Sequence, residues 1–282
     1  GGQWSRTVWT FTLTSMIIYQ IRCVACNAEF KDRQPSNIGV LCTQCYQQGL
    51  FRKELVITGI TRMGGGNICI SGLDRQTGRF VRPVFESHGI PQEYAFETKD
   101  QIIRHFSIIE FEFTKYNPSD VYHTEDWIVN EHFSPRFKGT LKEEGIVRTL
   151  NNNAVNDLEK AMDFRNKSLF IVRVQKISKI WDEESYGKFK VRMDFTDASG
   201  KNFHRVPVTD LLTLAAVQYY IKKGIKNYSE RFCKAFNMRQ NKFIRIGLTR
   251  LFQGEYWKQV TAVMTIPDLF DGKSFSYFEN KL

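Results

Sequence analysis

The sequence predicts a mainly β protein with few helices, in which a short cysteine-containing ribbon precedes two small β-barrels with a helical insert. Three observations predict this class: two paired cysteine motifs near the start, two groups of short β-rich runs separated by turn residues, and a helical pattern between the groups. Of the 282 residues, 42% are hydrophobic and 25% are charged, as is typical of globular proteins. This composition excludes a mostly disordered chain, a collagen-like fibre and a disulfide-held miniprotein.

Residues 1–15 stay an unassigned extension, and Met16 could be the natural start of the chain. These residues show no cleavable signal with a small-residue site after an apolar core. We therefore expect a cytoplasmic protein whose thiols are reduced. No run reaches the roughly 18 to 20 apolar residues that cross a bilayer, so we expect no membrane-spanning helix.

Four of the six cysteines form two Cys-x-x-Cys pairs, with 15 residues between the pairs. A gap of two residues lets both thiolates of a pair bind one ion, and two pairs complete a tetrahedral Zn²⁺ site with Zn–S distances of about 2.3 Å. Because four protein ligands leave no position for water, the sequence predicts one structural zinc ion in a ribbon over residues 16–50. A redox pair would need a βαβ context that the sequence lacks, and four unrelated buried thiols would not explain the spacing. The predicted ligands are Cys23, Cys26, Cys42 and Cys45.

The first barrel is predicted over residues 51–150 from four β-rich runs. Glycine-rich residues 63–66 and polar residues 74–78 separate the first three runs, which indicates a meander of hairpins. The fourth run alternates Ile109, Phe111 and Phe113 with polar residues, as a half-buried strand does. The predicted strands are residues 55–60, 67–73, 79–84 and 108–114.

A helical connector is predicted over residues 151–168, because an asparagine run precedes apolar residues at helical spacing, with the helix over 151–164. The second barrel is predicted over residues 169–282, with one helix over 211–223 that Asp210 can cap. Each group resembles in size a five-stranded Greek-key barrel of the OB type, although the chain has no strict sequence repeat. The strands of the second group are residues 169–177, 189–195, 203–208, 242–249 and 256–266.

Positive charge is concentrated near the end of the chain. Residues 221–250 contain nine basic residues and one acidic residue, so this basic segment holds +8 of the net charge of +10. Aromatic residues are interleaved with the cations, which suits single-stranded nucleic acid because cations neutralise phosphates and exposed rings stack on bases. The alternative is a solvated basic face whose rings pack inward. With a weaker arginine cluster around the glycine turn, the predicted contacts are Arg62, Arg79, Arg82, Lys222, Lys223, Lys226, Tyr228, Arg231, Arg239, Arg245, Arg250 and Trp257.

The motifs of common enzyme classes are absent from the sequence. Residues 64–66 lack the pattern of a phosphate-binding loop, and the five histidines include no i, i+4 metal pair. His123 and His132 flank an acidic pair at residues 125–126, which could imitate an acid–base cluster. The simpler explanation of these residues is a loop whose side chains hydrogen-bond to its own backbone. Cys69 and Cys233 have no adjacent histidine to activate them. The sequence therefore favours a protein without catalysis but leaves the question open.

Four segments carry a resemblance that covers most of the chain from about residue 55 onward. They are residues 60–84, HTEDW at 123–127, RVPVTDL at 205–211 and residues 244–270, the last with Gly-Leu-Thr-Arg at 247–250. In these segments the chain resembles the bacterial dual-OB-containing domain family. The resemblance implies two OB-like barrels and, through the association of the family with prokaryotic conflict systems, a part that binds nucleic acid or senses nucleotides. It implies no catalytic residues, and the ribbon rests on its cysteine spacing alone.

The sequence thus predicts a non-catalytic module that binds single-stranded DNA or RNA, as a sensor in a prokaryotic defence system. Two alternatives stay open: an adaptor that docks a partner protein from a defence operon, and an enzyme that acts on nucleotides. A deep pocket that joins Arg62, Arg79 and Arg82 to His123 or Asp126 would favour the enzyme.

Overall fold

The computed structural model describes residues 19–23, 25–26, 28–32, 41, 44–45, 50–185 and 187–282. In this part of the chain, a two-stranded ribbon precedes two closed five-stranded barrels, with a helical insert between them and further helices in the second barrel. The mainly β class and the two OB-like barrels predicted from the sequence are confirmed. The expected extension over residues 1–15, and Cys42, lie outside the described residues.

The ribbon is an antiparallel pair, and its two strands are β1 (Tyr19–Arg22) and β2 (Glu29–Asp32). Two predicted ligands, Cys23 and Cys26, lie in the connection between these strands. The backbone N–H of Cys23 donates to the carbonyl oxygen of Ala28 over 2.9 Å, which closes the turn. Beside this turn, an ion pair between Arg22 and Glu29 links the two strands.

The first barrel closes in the order β3-β4-β5-β10-β9 and back to β3, with β5 and β10 parallel and the other neighbours antiparallel. This is the pairing of an OB fold, in which the third and fifth barrel strands run parallel. Leu55, Ile57, Ile109, Phe111 and Phe113 fill its interior. The strands of this region are β3 (Phe51–Arg62), β4 (Asn67–Asp74), β5 (Phe80–Val84), β6 (Ile90–Pro91), β7 (Phe96–Glu97), β8 (Asp100–Gln101), β9 (Ser107–Tyr116), β10 (Asp126–Val129) and β11 (Arg136–Thr140).

The insert between the barrels differs from the predicted single helix over 151–164. Helix α1 (Glu143–Asn153) begins earlier than predicted. It ends at the asparagine run, where the sequence predicts the beginning of the helix. A two-residue strand, β12 (Ala154–Val155), interrupts the helical region. Helix α2 (Leu158–Met162) then begins at Asp157, whose side chain accepts a hydrogen bond from the backbone N–H of Lys160. The short polar side chain that caps a helix here is therefore the aspartate, four residues after the asparagines.

The second barrel repeats the OB pairing, in the order β13-β14-β15-β17-β16 and back to β13, with β15 and β17 parallel. Asp210 caps the first helix as predicted, because its Oδ2 accepts from the backbone N–H of Thr213 over 3.2 Å. A second helix, α4, was not predicted. The elements are β13 (Leu169–Ser185), β14 (Lys188–Asp197), β15 (Asn202–Val208), α3 (Leu211–Lys222), α4 (Tyr228–Asn237), β16 (Asn241–Leu248), β17 (Lys258–Ile266) and α5 (Phe275–Glu279).

The two barrels share an apolar interface. Val56 and Ile108 of the first barrel belong to one buried cluster with Ile171, Phe243 and Met264 of the second. A backbone hydrogen bond adds to it, since the N–H of Arg62 at the end of β3 donates to the carbonyl oxygen of Thr209, just before α3, over 2.9 Å. The position of the barrels relative to each other is therefore set by packing, and a site between them can be described. Among the described helices, none is long and apolar enough to cross a membrane.

Candidate functional site

The candidate site lies where the binding loops of the two barrels meet. In an OB fold, the loops that join strands 1 and 2 and strands 4 and 5 flank the face that binds oligonucleotides or oligosaccharides. In the first barrel these loops are residues 63–66 and 117–125. In the second they are the turn between β13 and β14 and residues 249–257. The strand order of the barrels therefore fixes where a ligand would approach.

Contacts between the barrels join these loops into one rim. The rings of Tyr122 and Tyr256, from the two long loops, lie with their centroids 4.5 Å apart. On another side, Arg62 Nη2 donates to the carbonyl oxygen of Phe189, near the start of β14, over 2.8 Å. The short loop beside Arg62 turns tightly because Gly65 has a positive φ of 71°, which glycine adopts at little cost.

The rim surrounds a cleft of about 540 Å³. Arg79 lies apart from it, in the turn between β4 and β5 at the end of these strands remote from the glycine loop. The pocket that would favour an enzyme is therefore present only in part. The charged and titratable side chains on its lining are Arg62, Cys69, Arg82, Glu86, His88, His123, Asp126, Arg245 and Arg250.

Asp126 links the two barrels at one wall of the cleft. Because β10 runs parallel to β5, Asp126 lies beside Arg82, and Arg82 Nε donates to Asp126 Oδ1 over 2.5 Å. The other oxygen, Oδ2, pairs with Arg250 Nη2 from the second barrel. Burial works against the charge on Arg82, but the pairing with Asp126 outweighs it and raises the pKa of Arg82. The loop predicted between His123 and His132 is wrong for Asp126 and Trp127, which belong to strand β10.

Arg245 lies in the interior, with an exposed fraction of 1%. Its Nη1 donates to Ser71 Oγ over 2.6 Å and to Thr58 Oγ1 over 3.0 Å, both in the first barrel, and its Nε donates to Thr261 Oγ1 over 2.9 Å. Among the described residues, no carboxylate forms an ion pair with it, and burial lowers the pKa of Arg245 to about 10. The sequence placed Arg245 in a surface groove, whereas the structure places it where the two barrels join.

His123 holds the long loop of the first barrel against the second barrel. Its Nδ1 lies 2.9 Å from both carboxylate oxygens of Asp120, and its Nε2 lies 3.2 Å from the carbonyl oxygen of Leu248. Burial lowers the pKa of His123, and the nearby charge of Arg82 lowers it further, against the opposing effect of Asp120. Both ring nitrogens are thus occupied by protein groups.

A comparison with known protein families agrees with the two OB barrels of the structure. The sequence model of the family described as dual OB-containing domain matches residues 53–263, which is most of the chain. The chain belongs to the dual OB-containing domain family. The resemblance found in the sequence is thereby confirmed, and the fold is of a type that binds nucleic acid in general. No curated protein matches the sequence.

The rim of this dual-OB protein exposes large apolar side chains. Met63 lies in the glycine loop, and Phe252 and Trp257 lie in the long loop of the second barrel, each with half or more of its surface exposed. Trp257 was predicted as a contact, whereas Phe252 and Met63 were missed. Their positions in the two loops that flank an OB ligand face would have identified them, since exposed apolar side chains that cluster commonly mark a binding surface.

The basic segment of the dual-OB protein does not form the predicted groove. The rings of Phe232, Phe236 and Phe243 are buried in the core, and so is that of Tyr228, whose hydroxyl bonds to Asp182. The prediction that Tyr228 stacks on bases is therefore corrected. Arg245 and Arg250 line the cleft, but none of the other predicted cations of this segment does. These are Lys222, Lys223, Lys226 and Arg231, which are exposed, and Arg239, which is half-buried.

Three cysteines of the dual-OB protein come together as the spacing predicts. The Sγ atoms of Cys23, Cys26 and Cys45 lie within 4.8 Å of one another, which suits a metal ion, and Cys42 is outside the described residues. Lys53 of the first barrel supports this site, because its buried Nζ donates to the carbonyl oxygen of Ala25 over 3.0 Å. The same Nζ pairs with Asp74 Oδ2 at 2.7 Å, so the metal-site turn is anchored to the barrel.

Proposed function

We propose that the dual-OB protein binds single-stranded nucleic acid along the rim of the cleft between its barrels. The observation that supports this most is the position of exposed apolar side chains. Met63, Phe252 and Trp257 all lie in loops that join OB strands 1 and 2 or strands 4 and 5. Bases stack on exposed rings with a gain of about 1–3 kcal/mol per base, whatever their sequence.

Phosphate contacts in this proposal come from arginines beside the rings. Arg62 and Arg250 lie at the cleft with exposed side chains. Arg250 keeps half of its side-chain surface open while it pairs with Asp126. Cations at these places neutralise phosphates and make affinity fall with salt. The exposed lysines of the basic segment, Lys222, Lys223 and Lys226, add attraction at longer range in this proposal.

The proposal is for binding without catalysis, because the groups that resemble an acid–base pair are already engaged. Asp126 Oδ1 accepts from Arg82, and its Oδ2 is paired with Arg250. The two ring nitrogens of His123 face Asp120 and the carbonyl of Leu248. A general base must reach the proton that it abstracts, and the carboxylate oxygens of Asp126 and the ring nitrogens of His123 already face protein groups.

We also propose that Cys23, Cys26, Cys42 and Cys45 bind one structural Zn²⁺ ion. The proximity of the three described sulfurs supports it, and so does the Cys-x-x-Cys spacing of both pairs. In the proposed role, strand binding is the sensing step of a prokaryotic defence system, as the family resemblance implies. Docking of a partner protein from the same operon is the alternative.

Fluorescence anisotropy with labelled 15-nucleotide single strands of DNA and RNA tests the strand-binding proposal. We expect binding that weakens steeply between 50 and 200 mM salt, because phosphate neutralisation releases counterions. Replacing Phe252 or Trp257 with Ala should each weaken affinity by a factor of about 5 to 150, which corresponds to about 1–3 kcal/mol. Phe164→Ala is the matched control, since Phe164 is 70% exposed and lies in the insert, outside the four loops that form the rim.

Three results would contradict the proposal. Absence of binding at low salt would contradict it directly. Equal losses for Phe252→Ala and Phe164→Ala would show that the rim loops have no particular role. A partner protein that is captured with the dual-OB protein after nuclease treatment at high salt, without any strand binding, would support the adaptor alternative instead.

A further inference from the structure

We propose that the floor of the cleft is a pocket for a phosphate monoester at the end of the bound strand. This inference rests on the proposed strand binding and deepens it, since it names the chemical group that the cleft selects. It concerns the inner part of the cleft, below the rim, where Cys69, Arg82 and Arg245 lie.

The charge of the lining favours an anion with two negative charges. Four arginines line the cleft, and among the described lining residues only Glu86 and Asp126 are acidic, so the lining has an excess of two positive charges. A phosphate monoester has a charge of about −1.5 to −2 at pH 7, whereas an internal phosphodiester has only one negative charge. A terminal phosphate therefore offsets more of this excess than a single backbone phosphate does.

Arg82 has donor capacity that the protein does not use. Its side chain is nine-tenths buried, and its Nη2 has no hydrogen-bond partner among the described residues. The nearest carboxylate oxygen to Nη2, Glu125 Oε2, is 3.9 Å away and is occupied by Ser168 Oγ at 3.0 Å. A buried donor without a hydrogen-bond partner destabilises the folded protein. Nη2 itself has almost no accessible surface, so an anion at the floor removes this destabilisation when the guanidinium of Arg82 turns toward it.

Arg245 adds a second cation, and among the described residues no carboxylate forms an ion pair with it, although Asp210 and Glu125 act on it at longer range. All three of its closest acceptors are hydroxyl oxygens, of Ser71, Thr58 and Thr261. These neutral partners fix the plane of the guanidinium without neutralising its charge. Cys69 lines the same cleft as both arginines, and it lies two residues before Ser71 on β4, so its partly exposed thiol is on the strand face to which Arg245 is hydrogen-bonded. Cys69 therefore marks the position that an anion would share with the two arginines.

The shape of the cleft favours a strand end over a strand that passes through. The inner side is closed, because Arg245 is 1% exposed and bridges both barrels there. A backbone that continued in both directions would need a second opening. The volume of about 540 Å³ lies within the range of about 300–1,000 Å³ for ligand sites and admits one terminal nucleotide.

Paired oligonucleotides that differ only at one end test the inference in the full-length protein. The probes are 12-nucleotide single strands with a 5′-phosphate or 5′-hydroxyl, and with a 3′-phosphate or 3′-hydroxyl, labelled at the opposite end. We expect one phosphorylated end to bind about tenfold more tightly than its hydroxyl counterpart, since charge-assisted hydrogen bonds are the strong ones. Competition with a nucleoside 5′-monophosphate distinguishes a strand end from a free nucleotide as the source of the phosphate.

Two variants at Cys69 test whether the preference for a phosphorylated strand end arises at the floor of the cleft. Cys69→Asp introduces a carboxylate between the arginines and should remove the tenfold preference while binding of the hydroxyl strand persists. Cys69→Ser is the matched control and should keep the preference. Because neither variant removes an arginine that joins the barrels, both should fold, and thermal melting curves check this.

The possible failures are distinguishable. Equal affinity for phosphorylated and hydroxyl strands would overturn the phosphate pocket and leave the proposed strand binding intact. An unchanged preference in Cys69→Asp would also overturn the pocket at this position. Binding of the nucleoside monophosphate with no binding of any strand would overturn both the strand end as the source and the proposed function.

Discussion

Arg245 of the second barrel occupies the space that a side chain at Gly59 of the first barrel would fill. A Cβ atom on Gly59 would lie 2.1 Å from Arg245 Nη2 and 2.3 Å from Cζ, well inside van der Waals contact. Since hydrogen bonds to Ser71, Thr58 and Thr261 hold the guanidinium, it has little freedom to move away. The junction of the barrels therefore depends on a residue without a side chain.

The first prediction follows from this junction. We expect Gly59→Ala to lower the free energy of unfolding by about 1–3 kcal/mol, as overpacking of a well-filled core does. Gly64→Ala is the matched control, because a Cβ atom there would have nothing within 4 Å and should change stability by less than about 0.5 kcal/mol. Urea unfolding monitored by tryptophan fluorescence measures both. Equal stability of the two variants would show that Arg245 is not fixed as described.

A second prediction concerns the anchor of the metal-site turn. Lys53 and Asp74 form a pair with side-chain exposures of 3% and 2%. We expect Lys53→Met to lower the free energy of unfolding by about 3–5 kcal/mol, because it leaves a buried carboxylate without its cation. Arg75→Met is the control, since Arg75 pairs with Glu54 on the surface and such pairs contribute about 0–1 kcal/mol. A loss below 1 kcal/mol for Lys53→Met would contradict the buried pair.

The third prediction concerns metal removal. We expect Cys45→Ser to release the bound zinc and to destabilise the first barrel as well as the ribbon. The reason is that Cys23, Ala25 and Cys45 belong to the same apolar cluster as Phe51 of that barrel, and metal-binding energy contributes to folding. Cys233→Ser is the control for zinc content, because that thiol lies in α4 and is not one of the three cysteines that come together. Atomic emission of the purified proteins and thermal melting measure the two effects, and full zinc content in Cys45→Ser would contradict the assignment.

The sequence predicted the barrel strands where turn residues or alternation marked them, and it missed β10 for a physical reason. All four residues of Asp126–Val129 are buried because β10 lies between β5 and β9 on the closed barrel, so its burial does not alternate. Its parallel pairing with β5 depends on a contact between segments 44 residues apart, Arg82 and Asp126. Local pattern cannot show such a pairing, although it is the pairing that builds the charged wall of the cleft.

In the basic segment, by contrast, the burial of the aromatic side chains could have been predicted from the sequence. Tyr228, Phe232 and Phe236 are spaced by four residues, so they lie on one face of α4 and that face is buried. The number of cationic and aromatic residues alone cannot distinguish a buried aromatic face from an exposed aromatic groove. Arg245 was similarly identifiable, because it lies between Ile244 and Ile246 in a fully buried stretch of β16. Whether these side chains can contact a ligand depends on the direction in which each one points. A count of residue types gives no information about that direction.

A fourth prediction is the pH dependence of the loop that His123 holds. Burial and Arg82 lower the pKa of His123 in the folded protein, whereas the unfolded chain has the ordinary value of about 6.5. Below about pH 6.5 the unfolded state therefore binds more protons than the folded state, and stability falls as the pH decreases. NMR titration of the His123 ring should give a midpoint below 6.5. A midpoint above 6.5 would show that Asp120 outweighs the other influences.

The fifth prediction separates two arginines that the sequence had grouped together. Arg62 lies at the rim of the cleft and Arg79 in the turn between β4 and β5, away from the lining. Arg62→Ala and Arg79→Ala change the net charge equally. We expect only Arg62→Ala to reduce the slope of log affinity against log salt, by about 0.7 for one lost contact with a single-strand phosphate. Anisotropy titrations at four salt concentrations measure the slopes. If the two variants reduce the slope equally, the attraction comes from overall charge and the cleft has no specific part in it.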